Sequence, residues 1–259
     1  KTLAFVLDKP LIPVNHLVGH IYSNWLQLES NSKFKIQNSK KPEFPLIALI
    51  VSGGHTDLVL MKTHDEFILL GSTLDDACGE AFDKVARFLG LPYPGGPEIE
   101  RMAKKFTVHS SPIRGPNGEQ FTVKFPRSMI DSDDFDFSFS GIKTAVVNFV
   151  HNNKIVLDKK NVSSISHEFQ KAVCEVLVSK TLKSALKFNI KSVVIGGGVA
   201  ANKHIKTELS TEAGKIGVRV FSPSLENSVD NGAMIAAAAF FVGKERDPLS
   251  VSADASLHF

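Results

Sequence analysis

Two histidines and a distant aspartate form the candidate metal site of this chain. His16 and His20 are four residues apart, so on a helix both imidazoles project from one face, one turn apart, and can share a metal ion. Asp230, just ahead of the last predicted helix, is the candidate third ligand. Two imidazoles and one carboxylate suit Fe(II) or Zn(II). The alternative interpretation is two unrelated histidines and an aspartate that caps a helix.

The histidine motif differs from that of the zinc peptidases. Position 17 is leucine, whereas the motif HExxH has a glutamate there that acts as the general base. A metallopeptidase of that type is therefore disfavoured, although the spacing of the two histidines suits it.

Glycine-rich turns follow two apolar segments that are typical of buried strands. Residues 46–51 run into Ser52, Gly53, Gly54, His55 and Thr56, and residues 192–195 run into Gly196, Gly197, Gly198 and, after three more residues, Asn202. Bare backbone N–H groups at such turns can approach a phosphate closely. One such turn is common in α/β proteins without a ligand, but two that face each other predict a nucleotide clamp.

Carboxylates lie within the helix predicted over residues 77–90. Asp83 could bind ribose hydroxyls or a substrate amine, and its alternative is a surface ion pair with Arg87. The acidic residues at the start of this helix are explained by the helix dipole alone.

The predicted elements alternate between strands and helices, which indicates an α/β fold. We expect a helix over residues 15–28, a hairpin of residues 46–51 and 57–62, a half-buried strand over 135–140, and helices over 163–187 and 231–243. Residues 29–43, rich in Ser, Asn and Lys, predict a solvated loop and the subdomain boundary.

Composition sets limits on the function. The chain has 259 residues, 43% of them hydrophobic, and a net charge of +3, too mild to indicate a strongly basic nucleic-acid binder. Two cysteines far apart predict reduced thiols, and no apolar run reaches the ~18 residues of a membrane span.

The ordered motifs, taken together, resemble one family. They are VNHLVGH, IVSGGHTDLVL, DDACGEAFDKVARFLGLPYPGGPEIE, FSFSGIKTAV, IGGGVAAN and DNGAMIA. This set is similar to the tRNA N6-adenosine threonylcarbamoyltransferases, once described as O-sialoglycoprotein endopeptidases. The third motif looks like the bacterial and mitochondrial branch, and the insertion at 29–43 looks eukaryotic, so we expect a mitochondrial form of the kind found in yeast.

The resemblance implies an actin-like ATPase fold, related to sugar kinases and Hsp70, of two ribonuclease-H-like lobes. It implies that residues 1–43 are the remnant of an N-terminal lobe that is largely missing here. Residues 44–259 would form the C-terminal lobe, with a helical insertion at about 74–140 and a final helix that returns to the ligand cleft.

The resemblance also implies the ligands. His16, His20 and Asp230 would hold one divalent metal, zinc or iron. Threonylcarbamoyl-AMP, or ATP or AMP in its place, would bind at Ser52, Gly53, Gly54, His55, Thr56, Asp83, Gly96, Glu100, Gly197, Gly198 and Asn202. No residue is assigned as the general base.

The implied function is transfer of the threonylcarbamoyl group to N6 of the adenosine 3′ of the anticodon, in tRNAs that read codons starting with A. The expected partners are tRNA, a separate synthase that supplies threonylcarbamoyl-AMP, and a second copy in a homodimer, with no membrane; the expected location is the mitochondrion. An actin-like ATPase, a scaffold subunit of such a complex and a metallopeptidase are the alternatives.

Overall fold

A computed structural model describes residues 1–28, 34–36, 41–106, 112–254 and 257–259. Its strands are β1 (Leu26–Leu28), β2 (Phe34–Ile36), β3 (Leu46–Val51), β4 (Thr56–Met61), β5 (Phe67–Ser72), β6 (Ile113–Arg114), β7 (Gln120–Phe121), β8 (Ser192–Gly196) and β9 (Arg219–Phe221). Its α-helices are α1 (Thr2–Val6), α2 (His16–Tyr22), α3 (Cys78–Phe88), α4 (Gly95–Ala103), α5 (Ser140–Asn152), α6 (Lys159–Lys187), α7 (Lys203–Lys215), α8 (Leu225–Ser228) and α9 (Gly232–Val242).

A five-stranded mixed sheet in the order β5-β4-β3-β8-β9 organises the fold. The predicted hairpin is present, because β3 and β4 pair antiparallel from Leu46 opposite Met61 to Val51 opposite Thr56. Strand β8 joins β3 in parallel, with Ile50 opposite Gly196. The two glycine turns therefore leave the same edge of the sheet from neighbouring strands, although their parent segments lie about 140 residues apart in the sequence.

Alternate residues of β3 pack into two separate hydrophobic layers. Ile47, Leu49 and Val51 face a large core covered by α3, α4, α5, α6 and α7. Leu46, Ala48 and Ile50 face a smaller core formed by α2 and α9. Both faces of β3 are thus covered, which explains why this strand reads as an unbroken apolar run rather than an alternating one. The fold class predicted from the sequence, α/β, is confirmed.

Helix α2 is shorter than the helix predicted over residues 15–28. It ends at Tyr22, a 3₁₀ turn follows at Ser23–Trp25, and residues 26–28 form β1. The side chains after the helix explain its end: Ser23 Oγ donates to the His20 carbonyl and Asn24 Nδ2 donates to the Ile21 carbonyl. In a longer helix, these two carbonyls would accept hydrogen bonds from backbone N–H groups instead. Most of the loop predicted over residues 29–43 lies outside the described residues, but the prediction is wrong for residues 34–36, which form β2 and pair antiparallel with β1.

The strand predicted over residues 135–140 is only partly correct. Phe135, Phe137 and Phe139 are buried, as the alternation predicted. However, the segment makes a single bridge, between Phe137 and Thr73, rather than a regular strand. The backbone N–H groups of Phe139 and Ser140 donate instead to the carboxylate of Asp75, which caps the start of α5.

Other sequence expectations concern the cysteines and membrane-spanning helices. Cys78 and Cys174 are buried and free, and burial raises the pKa of both thiols, that of Cys174 to about 12. Among the described residues, no helix combines the length and the apolar character needed to cross a bilayer.

Candidate functional site

The structure brings His16, His20 and Asp230 together. Asn15 caps α2 by accepting from the Leu17 N–H at 2.8 Å, and within this helix the four-residue spacing places both histidines on one face. His16 is half exposed and His20 is buried. The Asp230 carboxylate lies opposite them, because α2 and α9 pack directly against each other on one face of the sheet. A cap role for Asp230 does not hold: the cap of α9 is Asn231, which accepts from the Met234 N–H.

The geometry of these three groups fits one metal ion. Asp230 Oδ1 lies 3.2 Å from His20 Nε2 and 3.4 Å from His16 Nε2, and one ligand atom from each residue lies within 4.8 Å of the others. Ligand atoms at about 2.1 Å from a zinc ion are about 3.0–3.4 Å from one another. The two measured separations lie in that range, so the residues present suit a divalent metal of the zinc or iron type.

Burial favours the neutral form of the inner histidine. Desolvation lowers the pKa of His20, and the nearby His16 lowers it further, while Asp230 opposes both effects. A neutral imidazole is the form that binds metals.

The first glycine turn is closed by its own hydrogen bonds. The Ser52 N–H donates to the His55 carbonyl at 2.9 Å, and the His55 N–H donates to Ser52 Oγ at 3.1 Å. Gly53 and Gly54 are exposed at its tip. Thr56 is buried, and its Oγ1 accepts from the Cys78 N–H at 2.8 Å, so this hydroxyl fixes the start of α3.

The second glycine turn fits tightly against the first strand and against α2. Gly197 has a φ of +90°, and a Cβ there would lie 2.4 Å from the Val51 carbonyl oxygen. A Cβ on Gly196 would lie 2.7 Å from the His20 carbonyl oxygen. Glycine at these positions therefore lets β8 approach both β3 and the helix that carries the histidines.

A cavity of about 530 Å³ opens beside these turns. Six of the predicted site residues line it, namely Gly53, Asp83, Gly96, Glu100, Gly198 and Asn202. Five do not: Ser52, Gly54, His55, Thr56 and Gly197. His55 lies against the ring of His258, with the ring centroids 5.7 Å apart.

The two carboxylates of the cavity also support its wall. Asp83 Oδ1 accepts from the Gly95 N–H at 2.7 Å, which joins α3 to the start of α4. Asp83 forms no ion pair with Arg87 within the described residues. Glu100 pairs with Lys104 at 2.8 Å and accepts from the Lys203 N–H at 3.2 Å, which links α4 to α7.

Asn202 has its amide fixed at both ends. Its Oδ1 accepts from the Ile205 N–H at 3.1 Å and caps α7, while its Nδ2 donates to Gln170 Oε1 at 3.0 Å. Both partners of this amide pair are buried. The orientation of Asn202 towards the cavity is thereby set by α6 as well as by its own turn.

Sequence reasoning missed several cavity residues. It also missed Gln170, which does not line the cavity but holds the Asn202 amide from α6; one polar residue on the buried face of an apolar helix pattern was the available signal. The missed lining residues include Tyr93, Pro94 and Pro97, which lie within the motif from Asp75 to Glu100, and also Lys203, Leu225 and Val229, which nothing in the local sequence marked.

The fold is similar to that of HypF. The crystal structure of HypF from T. kodakarensis superposes with a TM-score of 0.63 at 13% identity, over 92% of this chain and 38% of that one. A structure of full-length HypF in the phosphate- and nucleotide-bound form gives 0.59 at 15% identity, over 92% and 36%. These likenesses show the fold alone, and they fit the actin-like ATPase-type fold that the sequence motifs imply.

Sequence comparison then identifies the family. The profile of the family TsaD, described as tRNA N6-adenosine threonylcarbamoyltransferase, matches residues 1–237. The protein of that name from Moorella thermoacetica is 44% identical, over 98% of this chain and 68% of the relative. The one from Halalkalibacterium halodurans is 45% identical, over 95% of this chain and 64% of the relative. The one from Staphylococcus saprophyticus is 42% identical, over 100% of this chain and 67% of the relative. The chain belongs to this family of tRNA-modifying enzymes, and it spans about two thirds of the length of these relatives.

Proposed function

We propose that this protein transfers the threonylcarbamoyl group from threonylcarbamoyl-AMP to N6 of the adenosine 3′ of the anticodon, in tRNAs that read codons starting with A. One observation carries the proposal beyond family membership. Val229 lines the 530 Å³ cavity, and the next residue, Asp230, faces His16 and His20. A nucleotide in the cavity would therefore have its reactive end beside the candidate metal ligands.

The reaction needs an amine, an activated carbonyl and a leaving group. The N6 nitrogen of the adenosine forms a bond to the carbamoyl carbon, and the bond from that carbon to the phosphate oxygen breaks. The electron pair of the broken bond leaves with AMP, and N6 loses one proton. Because the mixed anhydride is already activated, holding both reactants in position supplies much of the rate.

The residues of the cavity suit the binding of an adenylate. Gly53 and Gly198 leave backbone open at the two turns, where N–H groups can approach a phosphate. Asp83 and Glu100 offer carboxylate oxygens on the α3–α4 wall, where ribose hydroxyls can donate. Asn202, fixed by Gln170, lies beside the second turn.

His16, His20 and Asp230 would hold the metal. When bound there, a zinc or iron ion acts as a Lewis acid that polarises a substrate carbonyl. His20 is buried and His16 is half exposed, so the open side of this ligand set faces solvent.

The proposal extends to partners and location. We propose that the protein acts on tRNA as a homodimer, receives threonylcarbamoyl-AMP from a separate synthase, and works in the mitochondrion. These points rest on the resemblance of the long motif from Asp75 to Glu100 to the bacterial and mitochondrial branch.

The test is transfer of radiolabelled threonine from threonylcarbamoyl-AMP to an unmodified tRNA that reads a codon starting with A. The full-length gene product is assayed alone, with and without a chelator. His16→Ala is compared with His151→Ala, which removes an exposed helical histidine outside the site. We expect label on the tRNA with wild type and His151→Ala, and none after chelation or with His16→Ala.

The other outcomes discriminate between the alternatives. ATP hydrolysis without transfer would favour an actin-like ATPase. Transfer only after addition of partner subunits would favour a scaffold or subunit role and contradict the self-sufficient homodimer. Full transfer by metal-free His16→Ala would remove the metal from the mechanism.

A further inference from the structure

Three apolar side chains stand exposed around the mouth of the cavity. They are Tyr93, Leu225 and Val229, with exposed fractions of 82%, 69% and 53%; we call them the mouth rim. Tyr93 comes from the loop between α3 and α4, whereas Leu225 and Val229 come from α8 and the residue after it. Two unrelated segments thus place apolar surface at one opening.

The mouth rim differs from the inner wall of the same cavity. Phe82 is 1% exposed, and the carboxylates of Asp83 and Glu100 lie along that inner wall. A nucleotide inside the cavity has the buried Phe82 and the two partly buried carboxylates available. The mouth rim is instead accessible to a group that is attached to a macromolecule too large to enter the cavity.

The position of the mouth rim relates it to the reacting atoms. Val229 is followed directly by Asp230, which faces the two histidines. An acceptor that reaches the proposed reaction centre through the mouth of the cavity must pass the mouth rim.

One lysine beside the mouth is available to contact a polyanion. Lys203 lines the cavity, and its side chain forms no ion pair within the described residues. Lys104 lies next to it, because both residues contact Glu100, Lys104 through its ammonium group and Lys203 through its backbone N–H. A lysine at this place can contact phosphates of an RNA backbone.

We propose that the mouth rim stacks the base of the acceptor adenosine of the RNA, unstacked from its neighbours, with Tyr93 as the principal contact. Enzymes that act on a base take it out of the stack and hold it against aromatic and apolar side chains. This inference rests on the proposed function, because it assumes an RNA acceptor.

The experiment measures binding, not turnover. The full-length gene product is titrated, at one fixed salt concentration, with a labelled anticodon stem-loop that carries an unmodified adenosine 3′ of the anticodon. A second stem-loop is abasic at that position only. AMP is titrated separately by calorimetry.

The variants are Tyr93→Ala, Tyr93→Phe, Leu225→Ser and Phe240→Ala. Phe240 is the matched control, an aromatic side chain 73% exposed that does not line the cavity. Because all of these side chains are exposed, the substitutions leave the core intact, and circular dichroism checks the fold.

We expect wild type to prefer the intact stem-loop over the abasic one. Tyr93→Ala should weaken binding of the intact stem-loop at least about fivefold, the lower end of base–aromatic stacking. It should leave binding of the abasic stem-loop and of AMP unchanged. Tyr93→Phe should retain the preference, Leu225→Ser should lose part of it, and Phe240→Ala should bind as wild type does.

Three results would overturn the proposal. Wild type could bind both stem-loops equally, or Tyr93→Ala could weaken binding of both stem-loops to the same extent. Tyr93→Ala could also weaken binding of AMP instead, which would assign the mouth rim to the base of the adenylate. The transfer assay separates this proposal from the proposed function. Transfer with no effect of Tyr93→Ala on stem-loop binding refutes the mouth rim alone. A preference for the intact stem-loop that Tyr93→Ala abolishes, without transfer, supports the mouth rim and refutes the transferase.

Discussion

Replacing Gly197 with alanine should destabilise the whole protein, because two independent features of this position require glycine. The φ of +90° lies where residues with a Cβ are disfavoured. In addition, the new Cβ would lie 2.4 Å from the carbonyl oxygen of Val51 and 2.8 Å from its carbonyl carbon. That carbonyl belongs to the central strand β3, so the obstacle is a backbone group and not a side chain that could rotate away.

The size of the effect follows from three contributions. With a φ of 90° and a ψ of 165°, the backbone adopts a conformation essentially restricted to glycine, which costs a residue with a Cβ about 1–3 kcal/mol, and the displacement of packed backbone costs about 1–3 kcal/mol. Alanine also restricts the unfolded chain, which offsets about 0.4–1 kcal/mol. The net loss is about 1–6 kcal/mol of unfolding free energy, which lowers Tm by about 2–22 °C in a chain of this size.

The neighbouring glycine provides the control. A Cβ on Gly198 meets no atom within 4 Å, and its φ is not in the positive region. Thermal unfolding followed by circular dichroism should therefore show a large decrease in Tm for Gly197→Ala and little change for Gly198→Ala. Equal Tm values for Gly197→Ala and wild type would refute the assigned contact between β8 and β3.

Two further stability predictions concern buried charges. Lys180 is fully buried on α6 and donates to Ser132 and Asp134. In a urea titration, Lys180→Met should therefore lower the unfolding free energy by about 2–3 kcal/mol. Lys183 is partly exposed and donates to the Ser132 carbonyl, so Lys183→Met should lower it by less than about 1 kcal/mol. Burial raises the pKa of Asp57 above its ordinary 3.8, so the folded state holds this proton more tightly and stability falls as pH rises from 3.8 through the raised pKa. Asp57→Asn should therefore raise Tm at pH 7, with a gain that shrinks towards pH 3.8; a lower Tm at pH 7 would contradict this.

Much of the fold was predictable because its signals are local. The spacing of apolar residues predicted α6, the glycine turns predicted the ends of β3 and β8, and the two segments that flank Gly53 and Gly54 predicted the hairpin. Element ends were less predictable. Helix α2 stops at Tyr22 because the side chains of Ser23 and Asn24 bond its last carbonyls, a competition that apolar spacing does not encode.

The residues of the candidate site could be predicted from the sequence, but their arrangement in space could not. His16 and His20 share a helix face by spacing alone, but Asp230 is more than 200 residues away, and only the packing of α2 against α9 brings it to them. The mouth rim had no sequence signal, because whether Tyr93 or Leu225 is exposed depends on segments far away in the chain.

The position of Asp230 makes the metal proposal testable through stability. Its carboxylate is 74% exposed and does not cap α9, since Asn231 does so. Asp230→Ala should therefore leave the Tm of the metal-free protein nearly unchanged. The same substitution removes one of three candidate ligands, so it should weaken metal binding strongly.

Zinc is the probe because it binds this donor set and does not change oxidation state. A ligand that binds only the folded state, present at 100 times its Kd, stabilises that state by about 2.7 kcal/mol. In a chain of this length this amounts to a rise in Tm of about 5–10 °C. Wild type and His151→Ala should show the rise and lose it with a chelator, whereas Asp230→Ala at the same zinc concentration should show little. If Asp230→Ala keeps the full rise, the zinc is bound elsewhere, and the cluster of His16, His20 and Asp230 is not a metal site.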